Sequence, residues 1–325
     1  MKKRGNQKKG RIITRKRIKI FIIVFCLLLV GSFGVVSYEI GINVADGLVY
    51  FNKGNDTKAN SRKQLAMWGY DIEGFEKQFQ GKRIDLTAED DNKVPVVFFS
   101  ADDIKDNNTV ILVHGLGGDY VSVYPQAEMY LENGWNVLAL DQRGSGDSSN
   151  EKMSFGYYEK LDVKAVVDYV KANTKDKKIV VHGFSMGAVT TGLYAETEHA
   201  ENNVDAIILD SAFDSMESMF LSSWDNMNTG LPGEYAVWCG NWALNMKYGF
   251  GFDDANMLLA LKNCDIPTLV IQGQRDEVST MKMGEEIFES IKGSKKEYWL
   301  VDTKHVEAYM DYPLQYKERV MNFIN

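Results

Sequence analysis

One serine stands in a setting that could make it a nucleophile. The run Ile179-Val180-Val181-His182-Gly183-Phe184-Ser185-Met186-Gly187 is a β-branched strand, then G-x-S-x-G, then a stretch rich in Ala, Thr and Leu. A strand that turns sharply into a helix at such a serine exposes its Oγ at the helix N-terminus. Gly183 and Gly187 let strand and helix approach without Cβ clashes. The string alone recurs by chance in glycine-rich chains, so its weight comes from the partners around it. His114-Gly115-Leu116-Gly117-Gly118 follows the apolar run Val110–Val113 about seventy residues upstream. That position suits an oxyanion loop, in which the amides of Leu116 and Met186 would face a developing negative charge. A phosphate-binding loop is the competing reading, but the lysine and hydroxyl of that motif are absent.

A serine also needs a base, and the chain has four histidines. His114 belongs to the glycine loop, His182 runs into the turn, and His199 sits among Glu196, Glu198 and Glu201. His305 follows the last predicted strand and comes after Ser185 and a candidate acid, in the chain order Ser, Asp, His. Two carboxylates compete to orient it. Asp210 closes the run Ala206–Leu209, and Asp276 follows Thr268–Ile271 in Gln272-Gly273-Gln274-Arg275-Asp276-Glu277-Val278. Asp276 is the preferred orienting acid, and Asp210 is read as structural.

These residues must be held by regular elements. Short β-branched runs at Val94–Phe99, Val110–Val113, Val137–Leu140, Ile179–Val181, Ala206–Leu209, Thr268–Ile271 and Tyr298–Val301 read as strands. Between them Leu161, Ala165, Val166, Tyr169 and Val170 repeat with helical spacing, as do Met186–Ala195 and Ile287–Ile291. Strands alternating with helices predict an α/β fold with a mainly parallel sheet covered on both faces. Every candidate catalytic residue then falls at the carboxyl end of a strand, where ligands bind in such sheets. Gln64–Phe79 carries Leu65, Trp68, Ile72, Phe75 and Phe79 at helical spacing and predicts a packing helix, weakened by Gly69 and Gly74.

The N-terminus reads differently. Ten of the 37 basic residues fall in the first twenty positions, where no acid occurs. The rest of the chain carries 27 basic against 45 acidic side chains, a net charge of −18. So acidic a body is a poor polyanion binder, which sets nucleic acid aside. From Ile20 to Tyr38 nineteen residues pass without a charge, enough to cross a hydrocarbon core as a helix. Residues 1–19 are thus expected as a basic cytoplasmic tail, 20–38 as a signal-anchor in the lipid bilayer, and 39–81 as stalk and packing helix. Residues 82–325 follow as an extracytoplasmic catalytic domain in the cell membrane. A cleaved signal is the alternative, but its apolar region is shorter and ends in a small-x-small site not found here. Cys239 and Cys264 form no metal motif and are expected as free buried thiols; neither a metal nor a cofactor is implied.

HGLGG, DQRGSGDS, GFSMG, GQRDEV and KHVEAY, in this order, resemble the α/β-hydrolase superfamily over Lys82–Asn325. The sequence is similar to bacterial esterase-like hydrolases near the serine aminopeptidase and prolyl oligopeptidase branch, some of them membrane-anchored. The resemblance implies an α/β-hydrolase fold with a small helical cap at about 213–262, placed over the active site. It implies that Asp141-Gln142-Arg143-Gly144-Ser145-Gly146 is a structural loop. Nine aromatics lie between Phe213 and Phe252, suited either to an apolar acyl group or to packing the cap. The expected function is hydrolysis of a small-molecule ester of a small or medium apolar acid through an acyl-enzyme. A peptidase or amidase acting on a short peptide uses the same residues and is the runner-up. A surface binding protein on the same fold, without turnover, is a third reading.

Overall fold

The structure is a computed structural model that describes residues 15–101, 108–174 and 177–325; up to residue 14 the expected basic tail lies outside them. Three helices lead in: α1 (Arg15–Val49), α2 (Thr57–Met67) and α3 (Ile72–Gln78). A hairpin of β1 (Lys82–Thr87) and β2 (Lys93–Phe99) opens the sheet. The chain continues through β3 (Thr109–Val113), α4 (Tyr124–Glu132), β4 (Asn136–Leu140), α5 (Glu159–Asn173), β5 (Ile179–Phe184), α6 (Met186–Ala195), α7 (Glu198–Asn203) and β6 (Ala206–Asp210). Helices α8 (Met216–Asn226), α9 (Gly233–Tyr248) and α10 (Met257–Leu261) are inserted before β7 (Thr268–Gly273), α11 (Met281–Ser290), β8 (Lys296–Val301), α12 (Ala308–Asp311) and α13 (Pro313–Ile324).

The eight strands form one sheet in the order β1-β2-β4-β3-β5-β6-β7-β8. β1 and β2 pair antiparallel, as do β2 and β4, and the remaining neighbours are parallel. Side chains alternate across a strand, so one strand feeds two cores. Ile111 and Val113 of β3 join the cluster under α5, α6 and α10, while Val110 and Leu112 join the cluster under α4 and α13. From β4 the chain crosses over β3 to β5, so the order of strands reverses around β3. The carboxyl ends of β3 and β5 therefore splay their loops apart and leave a crevice.

The packing helix expected over Gln64–Phe79 is two helices. Gly69 takes φ +73°, and Asp71 caps α3 by accepting from the Gly74 amide, so the turn chemistry of Gly69-Tyr70-Asp71 overrides the apolar periodicity. The expected stalk is also different at its start. Helix α1 continues to Val49, and Val44, Ala45, Leu48 and Val49 are buried in the domain core. Small residues bring α1 and α9 into backbone contact: a Cβ on Gly41 would lie 2.5 Å from the Cys239 carbonyl oxygen. The Lys247 ammonium, 2.6 Å from Asp46, adds an ion pair to the same crossing. Cys239 and Cys264 are both buried and unpaired with each other.

Candidate active site

Ser185 sits between β5 and α6 with φ +52° and ψ −119°, a region that side-chain-bearing residues rarely occupy and that the surrounding packing must enforce. The packing is tight enough to do so. A Cβ on Gly183 would lie 2.2 Å from the Gly187 carbonyl oxygen, and one on Gly187 only 2.0 Å from that of Val113. The Ser185 amide donates to the Asp210 carbonyl at 2.9 Å, which ties the turn to the end of β6.

His305 and Asp276 converge on this turn from two other loops. His305 Nε2 lies 2.9 Å from Ser185 Oγ, and His305 Nδ1 lies 2.7 Å from Asp276 Oδ2. The side chain of Asp276 is fully buried, whereas that of His305 is a quarter exposed. The other carboxylate oxygen of Asp276 accepts from the amides of Val278 at 2.9 Å and Ser279 at 2.8 Å. A carboxylate so placed accepts a hydrogen bond from Nδ1–H and leaves the Nε2 lone pair facing the serine.

Among the described residues Asp210 makes no hydrogen bond to His305 and instead organises the loop that carries it. Its Oδ1 accepts from Ser211 Oγ at 3.1 Å, and Ser211 Oγ in turn accepts from the Val306 amide at 3.1 Å. Both Ser211 (φ +54°) and Val306 (φ +59°) are held in the left-handed region. Asp210 Oδ2 accepts from Tyr316 Oη at 2.6 Å. Tyr316 thereby spends its one proton, so it accepts from His182 Nε2 at 3.1 Å, and His182 Nδ1 accepts from Tyr130 Oη at 3.1 Å. Burial lowers the His182 pKa to about 3, which keeps this ring neutral, and burial pushes the Asp210 carboxyl up to about 6. Ser211 and Tyr316 carried no signal in the sequence, because their roles depend on β6 and α13 meeting behind the His305 loop.

His114 is fully buried and acts through its neighbours. Its Nε2 accepts from the Gln142 amide at 3.0 Å, so its protonated Nδ1 donates to the Gly115 carbonyl at 2.7 Å. The Gln142 side chain donates to the His114 carbonyl and accepts from Thr190 of α6, at 2.6 and 2.8 Å. A peptide plane whose carbonyl is fixed has its N–H fixed in the opposite direction, so the Leu116 amide is oriented by His114. Gly115 packs on the serine, since a Cβ there would lie 3.2 Å from Ser185 Cβ. Gly117 takes φ +75°, and Gly118 abuts Ser122 of the following turn. The amides of Leu116 and Met186 make no hydrogen bond among the described residues.

Ser185 and His305 open onto a cavity of about 120 Å³. Leu116, Gly117 and Phe184 line it, together with Asn60 and Gln64 of α2 and Trp68 just after that helix. No lining residue comes from 213–262. The expected cap over the site is therefore displaced: α9 packs on α1, α8 and α9 bury apolar residues in the core, and α2 lines the serine pocket instead.

A mainly parallel sheet with a strained serine turn after its fifth strand gives the chain the α/β-hydrolase fold. Residues 108–236 match the family described as alpha/beta hydrolase fold. The chain is 28% identical over 219 residues to the uncharacterized protein YqkD of Bacillus subtilis, covering 67% of this chain and 71% of that one. It is 26% identical over 196 residues to the lysophosphatidylserine lipase ABHD12 of Mus musculus, covering 58% of this chain but only 46% of the lipase. The esterase Pf2001 of Pyrococcus furiosus superposes with a TM-score of 0.61 at 25% identity, over 78% of this chain and 94% of its own. The protein is a hydrolase of this fold.

Proposed function

We propose that the protein is a serine esterase that cleaves carboxylic esters of a small or medium apolar acid through an acyl-enzyme. The observation that carries this is the unbroken chain from Asp276 through His305 to Ser185 at a positive-φ turn. In the forward step Ser185 Oγ attacks the ester carbonyl carbon and its proton passes to His305 Nε2. The carbonyl oxygen becomes an oxyanion, stabilised by the Leu116 and Met186 amides and by the N-terminus of α6. The tetrahedral intermediate collapses as the imidazolium gives its proton to the leaving alcohol. Water, deprotonated by His305, then attacks the acyl-serine and releases the acid. Asp276 holds the imidazole tautomer and stabilises its charged form without taking the proton.

The ester preference is supported by the small, partly apolar cavity, well below the about 300–1,000 Å³ of drug-sized pockets, and by the esterase among the superposed structures. Helix α1 is long and apolar enough to span a bilayer. With the basic cluster before it, it anchors the protein with the catalytic domain on the outer face. The test is a screen of the full chain in detergent micelles against p-nitrophenyl esters of graded chain length and matched aminoacyl amides. Short and medium esters turn over fastest. Faster turnover of amides than of matched esters overturns the ester assignment in favour of a peptidase or amidase.

A further inference from the structure

A second, apolar cavity that α1 helps to build lies outside the catalytic pocket. It is a groove of about 660 Å³ between α1 and α8. Val35, Val36, Leu48 and Phe51 form one wall, and Met219 and Trp224 form the other. We propose that this groove binds one hydrocarbon tail of a lipid that enters it from the surrounding bilayer. The proposal rests on the reading of α1 as a membrane anchor and is independent of the chemistry at Ser185.

Three observations fix the occupant. First, Val35 and Val36 belong both to the groove and to the exposed, uncharged stretch of α1, so the groove opens inside the segment that lies in hydrocarbon. Second, aromatic side chains mark the height of the membrane surface. Tyr235 and Trp242 of α9 pack on Phe33 and Tyr38 of α1, each pair 5.9 Å between ring centroids, and Trp238 and Trp242 are 62% and 49% exposed. Exposed aromatics beside the end of a spanning helix are characteristic of a bilayer interface. The polar residues Glu39 and Asn43 on the groove edge begin at that same height. Third, the groove continues beyond it. Above Tyr38, at the interface, the helix rises a further about 15 Å to Leu48 at 1.5 Å per residue, so the upper part of the groove lies outside the hydrocarbon. A single tail leaving the leaflet can thus exchange lipid neighbours for Leu48, Phe51 and Met219. A contiguous apolar surface of this kind would otherwise face water above the membrane.

Gly47 gives a way to close the groove. It lines the wall, and a Cβ added there meets nothing within 4 Å, so Gly47→Phe fills the space without a clash in the helix. Ser223→Phe does the same from α8. The experiment uses the full chain carrying Ser185→Ala, so that ester cleavage cannot consume the probe. It is placed in phosphatidylcholine nanodiscs containing a phosphatidylcholine with a diazirine at the end of one acyl chain. After irradiation, adducts mapped by mass spectrometry are expected at Leu48, Phe51 or Met219 as well as within Ile20–Val36. Gly47→Phe and Ser223→Phe should each lower the upper adducts at least fivefold and leave those in Ile20–Val36 unchanged, which also shows that the variants are inserted and folded. Adducts confined to Ile20–Val36, or upper adducts undiminished in both variants, overturn the groove as a tail site. Absence of adducts in both regions overturns the anchor and the proposal together.

Discussion

Replacing Asp276 by Asn keeps the shape of the site and should remove its base. One carboxylate oxygen of Asp276 accepts two backbone N–H groups, from Val278 and Ser279, while the other faces His305 Nδ1. In Asp276→Asn the amide oxygen must stay with the two N–H donors, because turning the NH₂ toward them would leave three buried donors facing one another. The NH₂ therefore faces Nδ1, which can only accept from it. The ring proton moves to Nε2, and the lone pair that should receive the Ser185 proton is gone. A comparable change in another serine-histidine-aspartate enzyme lowers kcat about 10⁴-fold, which corresponds to about 5 kcal/mol at 1.36 kcal/mol per tenfold. The assay is kcat/KM on a p-nitrophenyl ester, with thermal melting in the same detergent. A loss of at least a thousandfold with a nearly unchanged melting temperature is expected. Activity within tenfold of the wild type would refute the reasoning, and the same loss in Asp210→Asn alone would move the orienting role to Asp210.

Other consequences follow from the same geometry. Gly187→Ala puts a Cβ 2.0 Å from the Val113 carbonyl oxygen and 2.5 Å from that of His114, so the serine turn and the His114–Gly118 loop must part by on the order of 1 Å; kcat/KM should fall about 100-fold, and unchanged kinetics would contradict the close approach. Asp210 has its pKa raised by burial from 3.8 to about 6, so its contribution to stability is full below the unfolded value and is lost as pH rises through about 6, a change on the order of 3 kcal/mol. Asp210→Asn cannot ionise, so melts at pH 4.5 and 7.5 should show the variant gaining relative to the wild type at the higher pH, and a pH-independent difference would contradict this. Gly41→Val drives a side chain into the Cys239 carbonyl and should cost about 1–3 kcal/mol by overpacking, read as a lower melting temperature, whereas Gly31→Val on the open face of α1 should change it little.

The central parallel strands were legible because each is buried on both faces and so reads as an unbroken apolar run, such as Thr-Val-Ile-Leu-Val in β3. β1 was not, because Lys82-Arg-Ile-Asp-Leu-Thr lies on the sheet edge and only Ile84 and Leu86 are partly covered. The serine turn was legible because its glycines are demanded by backbone approach within a few residues. The choice between Asp276 and Asp210 was harder, since both close a strand, and only the loop geometry after β7 brings one carboxylate to His305. The docking of α1 was hidden for a different reason. Gly41 and Val44 meet Cys239 and Gly240 of α9, but in so apolar a helix no face stands out until α9 supplies the surface that covers it.

The central claim is that Ser185 is the nucleophile and His305 its base, and covalent labelling tests it most directly. The full chain is treated with a fluorophosphonate probe while folded, and the adduct is located by mass spectrometry. One adduct per chain at Ser185 is expected, formed far more slowly after His305→Ala and absent, together with ester turnover, after Ser185→Ala. Folded protein that takes no label would point to a binding protein on this fold, and full turnover by a Ser185→Ala variant of unchanged thermal stability would contradict the account.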